Sequence, residues 1–298
     1  VFGGGKNGQS PVEHVTEYDP EFDPRGIQSR TSLGESGPAP VIFQYDPASN
    51  HMPPMPALFQ NENVYNRKGR TFNFDELDQL VHGDFPGGLK DVNTSRCDVK
   101  RSMVDVYARW VELADFDGFR IDTVKHVEHE FWRYFAQNVR LRLKDQGKDR
   151  FFMFGEAFDG SDSLIGSFTK HDVPAHANDL ALGGDLAREN GPEEAGGCPG
   201  AAPITGDMLD GVFYFSQYFQ AVRDVFRDGN GTAKIQTLWD GRAQNFGSEA
   251  NANGTGVSPS KTLVNFLDNH DVPRFLYNGS GVSQFKADPK QALSNALL

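Results

Sequence analysis

The 298-residue sequence lacks most of the features that mark several protein classes. Its only two cysteines, Cys97 and Cys198, permit one disulfide, but they do not indicate a disulfide-rich scaffold or a cysteine-based metal site. No apolar run is long enough for a transmembrane helix, so no membrane partner is expected. Residues 1–5 also lack the charged and apolar regions of a signal peptide.

An excess of positive charge is missing as well. Lysine and arginine number 29 against 41 aspartates and glutamates, which gives a net charge of -12. An acidic surface repels phosphate backbones, so nucleic acid is not an expected partner, whereas a neutral polyol would be indifferent to this charge. Hydrophobic residues make up 38% of the chain, enough for one large domain or two smaller ones.

The sequence divides into two parts of different character. Residues 1–88 are rich in Gly, Pro, Asn and Asp and hold only short apolar runs, which predicts an irregular domain of loops and short strands. Scattered aromatic residues argue against disorder there. Residues 89–298 instead alternate between helical and strand-like patterns. We therefore predict a second domain over 89–298 that is built from parallel β/α units.

Two helical stripes and four strand candidates support this prediction. One stripe consists of Val99, Met103, Val106, Trp110 and Leu113, and the other of Val127, Phe131, Phe135, Val139 and Leu143. The strand candidates are residues 118–122, 151–156, 209–215 and 262–267. Each ends in polar or charged residues. In a (β/α) barrel that end of the strands carries the active site.

Carboxylates close or follow three of these strands, as Asp122, Glu156 and Asp271. Cleavage of a glycosidic bond with retention needs two carboxyl groups about 5 Å apart. Neighbouring parallel strands lie about 4.8 Å apart, so their ends can present carboxylates at that separation. Acidic residues at strand ends are common, however, and spacing alone leaves other roles open.

The surrounding residues resemble a known family. Residues 118–126 (GFRIDTVKH), 155–159 (GEAFD) and 266–271 (FLDNHD) are similar, in order, to signature regions of the α-amylase family, glycoside hydrolase family 13. Residues 88–93 (GLKDVN) are similar to a fourth. The resemblance implies a (β/α)8 TIM-barrel fold that is incomplete here, covering about strands four to seven. Residues 1–88 would then be an irregular domain inserted between the third strand and the third helix.

The resemblance also implies roles for single residues. Asp122 matches the nucleophile, Glu156 the general acid and base, and Asp271 a third carboxylate that stabilises the transition state. A permanent cation at Arg120 would keep Asp122 ionised, whereas burial and two nearby anions would keep Glu156 protonated at rest. Residues that match sugar-contacting positions are Arg120, Lys125, His126 and His270. Structural alternatives stay open: an ion pair for Arg120, a solvated charge for Lys125 and a structural histidine at 270.

Many family members carry a structural Ca²⁺, for which Asp91 would supply a carboxylate and His126 a main-chain carbonyl. Lys90 stands where the family usually has proline and adds a positive charge beside Asp91. The family's asparagine ligand lies in a region not recognised here. The string Asp46–His51 fits its spacing, but Pro47 would break the strand. Calcium and its absence both stay open.

The expected activity is retaining hydrolysis of α-1,4-glucosidic bonds in starch-like α-glucans or maltooligosaccharides. Transglycosylation uses the same carboxylates and is the first alternative. A non-catalytic relative acting as a binding subunit is the second, although such relatives typically lose a carboxylate. The family suggests a secreted or periplasmic location, and the sequence does not indicate an oligomeric state.

Overall fold

A computed structural model describes residues 54–66, 68–69, 71–85, 89–169, 198, 208–277 and 288–297. Its main elements, in chain order, are α1 (Leu77–His82), α2 (Cys97–Ala114), β1 (Gly118–Ile121), α3 (His129–Lys144), β2 (Phe152–Gly155), α4 (Asp162–Gly166), β3 (Gly211–Val212), α5 (Phe215–Gln217), a π-helix (Tyr218–Arg227), α6 (Ala233–Phe246) and α7 (Pro289–Leu297). Within the described ranges, no helix is both long and apolar enough to cross a membrane.

The chain forms two compact units. The first takes the described residues of Val1–Ala114, His126–Phe135 and Pro174–Pro203. The second takes those of Asp115–Lys125, Ala136–Val173 and Ile204–Leu298. The division into an inserted domain over 1–88 and a partial barrel over 89–298 stays a prediction.

Short turns and one longer helix make up the first unit. Single turns of 3-10 helix at Ala57–Gln60 and Glu62–Val64 precede α1, and isolated bridges join Tyr65 to Val92 and Phe85 to Leu89. A small core contains Phe59, Val64, Tyr65 and Val99. A disulfide joins Cys97, the first residue of α2, to Cys198. The described part of residues 1–88 thus contains short 3-10 turns, one short helix and isolated bridges.

Helix α2 forms where its stripe predicts, but it buries a different face. Val104, Ala108 and Val111 are buried, whereas Trp110 and Leu113 of the predicted stripe are 55% and 60% exposed. Both sets recur at spacings of three and four, so both satisfy the helical period. Periodicity alone does not choose between two adjacent apolar faces, and the predicted face was wrong at these two positions.

The second unit contains a parallel sheet in the order β1-β2-β3. Gly118 pairs with Phe152 and Phe154 with Gly211. The fourth predicted strand contributes one parallel bridge, between Phe213 and Val264, extended by a 2.9 Å hydrogen bond from Val264 N to the Val212 carbonyl. The order of the four segments along the chain is thus their order in the sheet, as in consecutive strands of a (β/α)8 barrel.

Asp210, just before β3, ties the second unit together. Its carboxylate is fully buried and accepts hydrogen bonds from Arg140 Nη2 (2.9 Å) and the Met153 N–H (2.9 Å). It also accepts bonds from Asn251 Nδ2 (3.0 Å) and the Thr255 N–H (3.0 Å). Four donors compensate the cost of burying this charge. Asp210 therefore fixes β3 against β2 and the loop at 251–255.

The helices after β3 build a separate hydrophobic core. Phe215, Tyr218, Val222, Val272 and Phe275 pack together in it. The π-helix supplies Tyr218 and Val222 to this core, and Leu293 and Ala296 of α7 pack against it. Helix α6 was not predicted, because Leu238 and Phe246 are its only buried residues and its sequence shows little apolar periodicity.

Candidate active site

Asp122 and Glu156 directly follow neighbouring strands. The last pair of the β1–β2 register is Ile121 with Gly155, so the two carboxylates come next on adjacent chains. The Glu156 N–H donates to the Ile121 carbonyl (2.7 Å), and the Val124 N–H donates to the Glu156 carbonyl (2.9 Å). The side chain of Asp122 is 67% exposed, whereas Glu156 is 6% exposed. One carboxylate thus faces solvent and its neighbour is buried.

Gly155 makes this close approach of the strand ends possible. A Cβ at position 155 would lie 2.7 Å from Leu209 Cδ1 and 2.8 Å from Val124 Cγ1. Both distances are shorter than real carbon contacts, so a Cβ at position 155 would displace the buried side chains of Leu209 and Val124. The residue before Glu156 is therefore set by packing.

The main chain beside Asp122 is held in an unusual conformation. Thr123 has φ of 50°, in the left-handed region that β-branched residues rarely adopt. Its N–H donates a 2.9 Å hydrogen bond to Oε2 of Glu156. Strained backbone of this kind costs about 1–3 kcal/mol and is concentrated at functional sites.

The pKa of Glu156 is raised above its ordinary value. Burial is the main cause, and the negative charges of Asp122 and Asp271 raise it further. The Thr123 N–H and the Arg120 cation act in the opposite direction. Asp122 and Asp271 are therefore both close enough to Glu156 to raise its pKa.

Asp271 lies in a loop shaped by its own side chains. Asn269 Oδ1 accepts the N–H groups of Asp271 (2.8 Å) and Val272 (3.1 Å). Asp268 accepts the Phe275 N–H and a bond from Arg274, and these two donors lower its pKa. Both residues before the His270–Asp271 pair thus support the loop.

The three predicted sugar-contacting residues of the second unit, Arg120, Lys125 and His270, each lie close to a protein oxygen. His270 is 72% exposed, with Nε2 3.2 Å from Asp271 Oδ2. Arg120 Nη1 bonds Asp122 Oδ1. Lys125 Nζ donates to the Phe158 carbonyl (2.7 Å) and lies 3.7 Å from Asp159 Oδ2. Lys125 is therefore not a freely solvated charge: it ties the loop after β1 to the loop after β2.

His126 and Asp91 belong to the first unit. His126 Nδ1 lies 3.1 Å from the Leu80 carbonyl, and its ring meets Phe74 and Phe85 edge to face. Asp91 Oδ2 accepts a bond from Asn66 Nδ2. Lys90 pairs with Asp84 rather than with Asp91, so its charge does not occupy the predicted metal ligand.

The surroundings of Asp91 suit an oxygen-preferring cation in one respect. Burial raises the pKa of Asp91 well above its ordinary value; the Asn66 bond opposes this, and the charges of Glu128 and Asp84 add to it. Glu128 is 6% exposed, and its Oε1 has no hydrogen-bond partner. In the described part of the chain, however, no three His, Cys, Asp or Glu side chains are grouped to hold a metal ion. Main-chain carbonyls would have to complete the shell.

The environment of His129 differs from the one that the sequence predicts. The lack of a motif around His129 predicts a surface position, but the side chain is 5% exposed. Burial lowers its pKa to about 4, and the Arg133 cation lowers it further. The sequence offered no signal for this, because His129 is the first residue of α3 and its burial depends on tertiary packing. His171, His176 and Asp46–His51 lie outside the described residues.

Comparisons with known proteins agree with these motifs. A family model for the catalytic domain of α-amylase matches residues 43–178. An α-amylase of Streptomyces lividans is 38% identical over 114 residues, which cover 38% of this chain and 12% of that protein. A cyclomaltodextrin glucanotransferase of Klebsiella oxytoca is 31% identical over 102 residues, 34% of this chain and 15% of that protein. The matched segments thus span less than a fifth of either relative.

Solved structures give the same fold. The crystal structure of an Anoxybacillus α-amylase superimposes with a TM-score of 0.53 at 21% sequence identity. The match covers 78% of this chain and 39% of that protein. Together with the parallel sheet, this confirms the predicted fold class, an incomplete (β/α)8 barrel.

Proposed function

We propose that this chain belongs to the α-amylase family, glycoside hydrolase family 13, whose catalytic-domain model it matches, and that it carries the catalytic carboxylates of a retaining glycosidase. The proposed substrates are α-1,4-linked starch-like glucans or maltooligosaccharides. The observation that carries the proposal is the convergence of buried Glu156 with two exposed carboxylates, Asp122 and Asp271. A non-catalytic binding subunit would not need all three.

The proposed reaction assigns one task to each group. Asp122, paired with Arg120, attacks the anomeric carbon while Glu156 donates its proton to the departing glycosidic oxygen. The bond to the leaving sugar breaks and a glycosyl ester forms on Asp122. Glu156, now ionised, takes a proton from water, whose oxygen attacks the anomeric carbon and releases Asp122. Asp271 stabilises the positive charge that develops on the sugar ring.

We propose that sugar hydroxyls bind the residues at the predicted sugar-contacting positions. The exposed ring of His270, beside Asp271, is the freest of them. Arg120, Lys125 and His126 already contact protein oxygens. Their proposed sugar contacts would therefore use the donors that remain.

Transglycosylation is the second candidate, and the similarity to a glucanotransferase favours it. It differs only in the last step, where a sugar hydroxyl replaces water. Chromatography of the products formed with an added acceptor sugar distinguishes the two. Products longer than the substrate would support transfer, and shortened products alone would support hydrolysis.

Trapping of the intermediate tests the proposed function. The protein that carries this chain is incubated with a fluorinated α-glucosyl fluoride and its intact mass is measured, with Asp122→Asn as the matched control. We expect a one-sugar adduct on the wild type and none on the variant. A folded wild type that stays unlabelled, or an adduct that survives in Asp122→Asn, contradicts the proposal.

A structural Ca²⁺ is proposed separately. Asp91 and Glu128 would hold it, together with the main-chain carbonyl of His126, and bound Ca²⁺ would neutralise the two carboxylates. Thermal unfolding with added Ca²⁺ and with a chelator checks this without any activity assay. We expect Ca²⁺ to raise the Tm of the wild type, and to raise that of Glu128→Gln by less. A wild-type Tm that does not change with Ca²⁺ would contradict the proposed site.

A further inference from the structure

We propose that Phe213 is a positioning residue that holds the Arg120 guanidinium against Asp122. The proposal rests on the proposed function, in which Asp122 is the nucleophile. Arg120 Cζ lies 5.6 Å from the centre of the Phe213 ring, within the range of a cation–π contact. Phe213 belongs to none of the matched motifs.

The sheet register brings these side chains to one face. Arg120 pairs with Phe154, and Phe154 pairs with Gly211. Partners in a parallel sheet point to the same side, and residues two apart on a strand do so as well. Phe213, two residues beyond Gly211, therefore shares its face with Arg120, and Asp122, two residues beyond Arg120, follows on that side.

The Phe213 ring is itself fixed on several sides. Phe154 and Phe266 meet it edge to face, with ring centres 5.1 Å and 5.6 Å away. Phe215 lies 6.1 Å away. The Phe213 N–H also donates to the Gly155 carbonyl (2.9 Å), one residue before Glu156. A ring held in this way offers the guanidinium a rigid surface.

Arg120 depends on this surface because it has few other contacts. Within the described residues its hydrogen bond goes to Asp122 alone, and its side chain is 31% exposed. An arginine held by one carboxylate loses side-chain entropy to keep that geometry. The aromatic face restricts the guanidinium, so that its charge stays beside the Asp122 carboxylate that attacks the sugar.

A fluorination series at Phe213 tests the proposal, since ring fluorine weakens the negative face of the ring with little change in volume. Phenylalanine with one, two or three ring fluorines is placed at position 213, and the rate of adduct formation with the fluorinated glucosyl fluoride is measured. We expect the rate to fall progressively, by roughly 2- to 30-fold in total. Phe213→Trp, which offers a stronger cation–π face, should retain more activity than Phe213→Leu.

The same series at Phe152 is the matched control, because that ring stacks on Phe154 and contacts no cation in the described part of the chain. Its rates should stay at the wild-type value, and Tm should be similar in both series. A flat rate series at Phe213, or an equal fall at Phe152, overturns the positioning role. A wild type that forms no adduct instead refutes the proposed function, so the two failures are distinguishable.

Discussion

The Thr123 N–H donates to Oε2 of Glu156 across the ends of two neighbouring strands, from a backbone with φ of 50°. The bond joins the residue after Asp122 to the proposed acid. A hydrogen bond to a carboxylate favours its ionised form, so it lowers the pKa of Glu156 while burial and two anions raise it. The net raised pKa gives two predictions.

The first concerns stability. Because the folded-state pKa of Glu156 is raised, its stabilising contribution is complete below the unfolded pKa of about 4.3 and is lost as pH rises through the folded value. Above the unfolded pKa, and so at neutral pH, the raised pKa of Glu156 therefore costs the fold stability. We expect Glu156→Gln to have a higher Tm than the wild type at neutral pH, with the difference vanishing in acid. Exposed Glu249→Gln should show no such pH-dependent gap.

The second concerns the pH profile. Glu156 must be protonated to act as the acid, so kcat/KM falls as pH rises through its pKa. Asp271→Asn removes one of the charges that raise this pKa. We expect activity to fall by roughly 10²–10³-fold, and the alkaline limb of the residual activity to move to lower pH. The control is Asp115→Asn, an exposed position, in which the alkaline limb should not move. An alkaline limb that does not move in Asp271→Asn either would contradict the effect of Asp271 on the pKa of Glu156.

A third prediction concerns the buried Asp210 carboxylate and its four hydrogen-bond donors. Asp210→Ala leaves Arg140 buried without its carboxylate, and such uncompensated charges cost about 3–5 kcal/mol. Urea unfolding should show a loss of this size. Asp240→Asn, on the exposed side of α6, should change stability by no more than about 0.5 kcal/mol. Equal unfolding midpoints for the two variants would show that the Asp210 hydrogen bonds do not stabilise the fold.

The fourth prediction concerns the disulfide, whose cysteines are 101 residues apart in sequence. Closing so long a loop restricts the unfolded chain, so replacing both Cys97 and Cys198 by serine should cost about 2–4 kcal/mol. Thiol titration of the native protein should find no free thiol before reduction and two after it. Unfolding that is unaffected by a reductant would argue against this bond.

The strands, and the positions of Asp122 and Glu156 directly after two of them, were predictable because their signals are local. Buried parallel strands read as short apolar runs, and polar residues mark where each run ends, as at Asp122 and Glu156. Helix α3 buries Phe131, Phe135, Val139 and Leu143 as its stripe predicts.

Other features depend on contacts between distant residues. Helix α2 buries the face with Val104 and Ala108 rather than the face with Trp110. Its packing partners determine which face is buried. Asp210 gains its role from donors up to 70 residues away, and His129 is buried by tertiary packing. None of these contacts leaves a periodic trace in the sequence.

The crowding around Gly155 has a consequence for protein engineering. Directed evolution often randomises the residues next to a catalytic group, and position 155 precedes the proposed acid. We expect such a library to favour glycine strongly, because any side chain has to displace the buried Val124 and Leu209. Two residues beyond Glu156, Phe158 is 42% exposed. Substitutions at position 158 leave the strand ends intact, so position 158 is the better choice for a library next to the proposed acid.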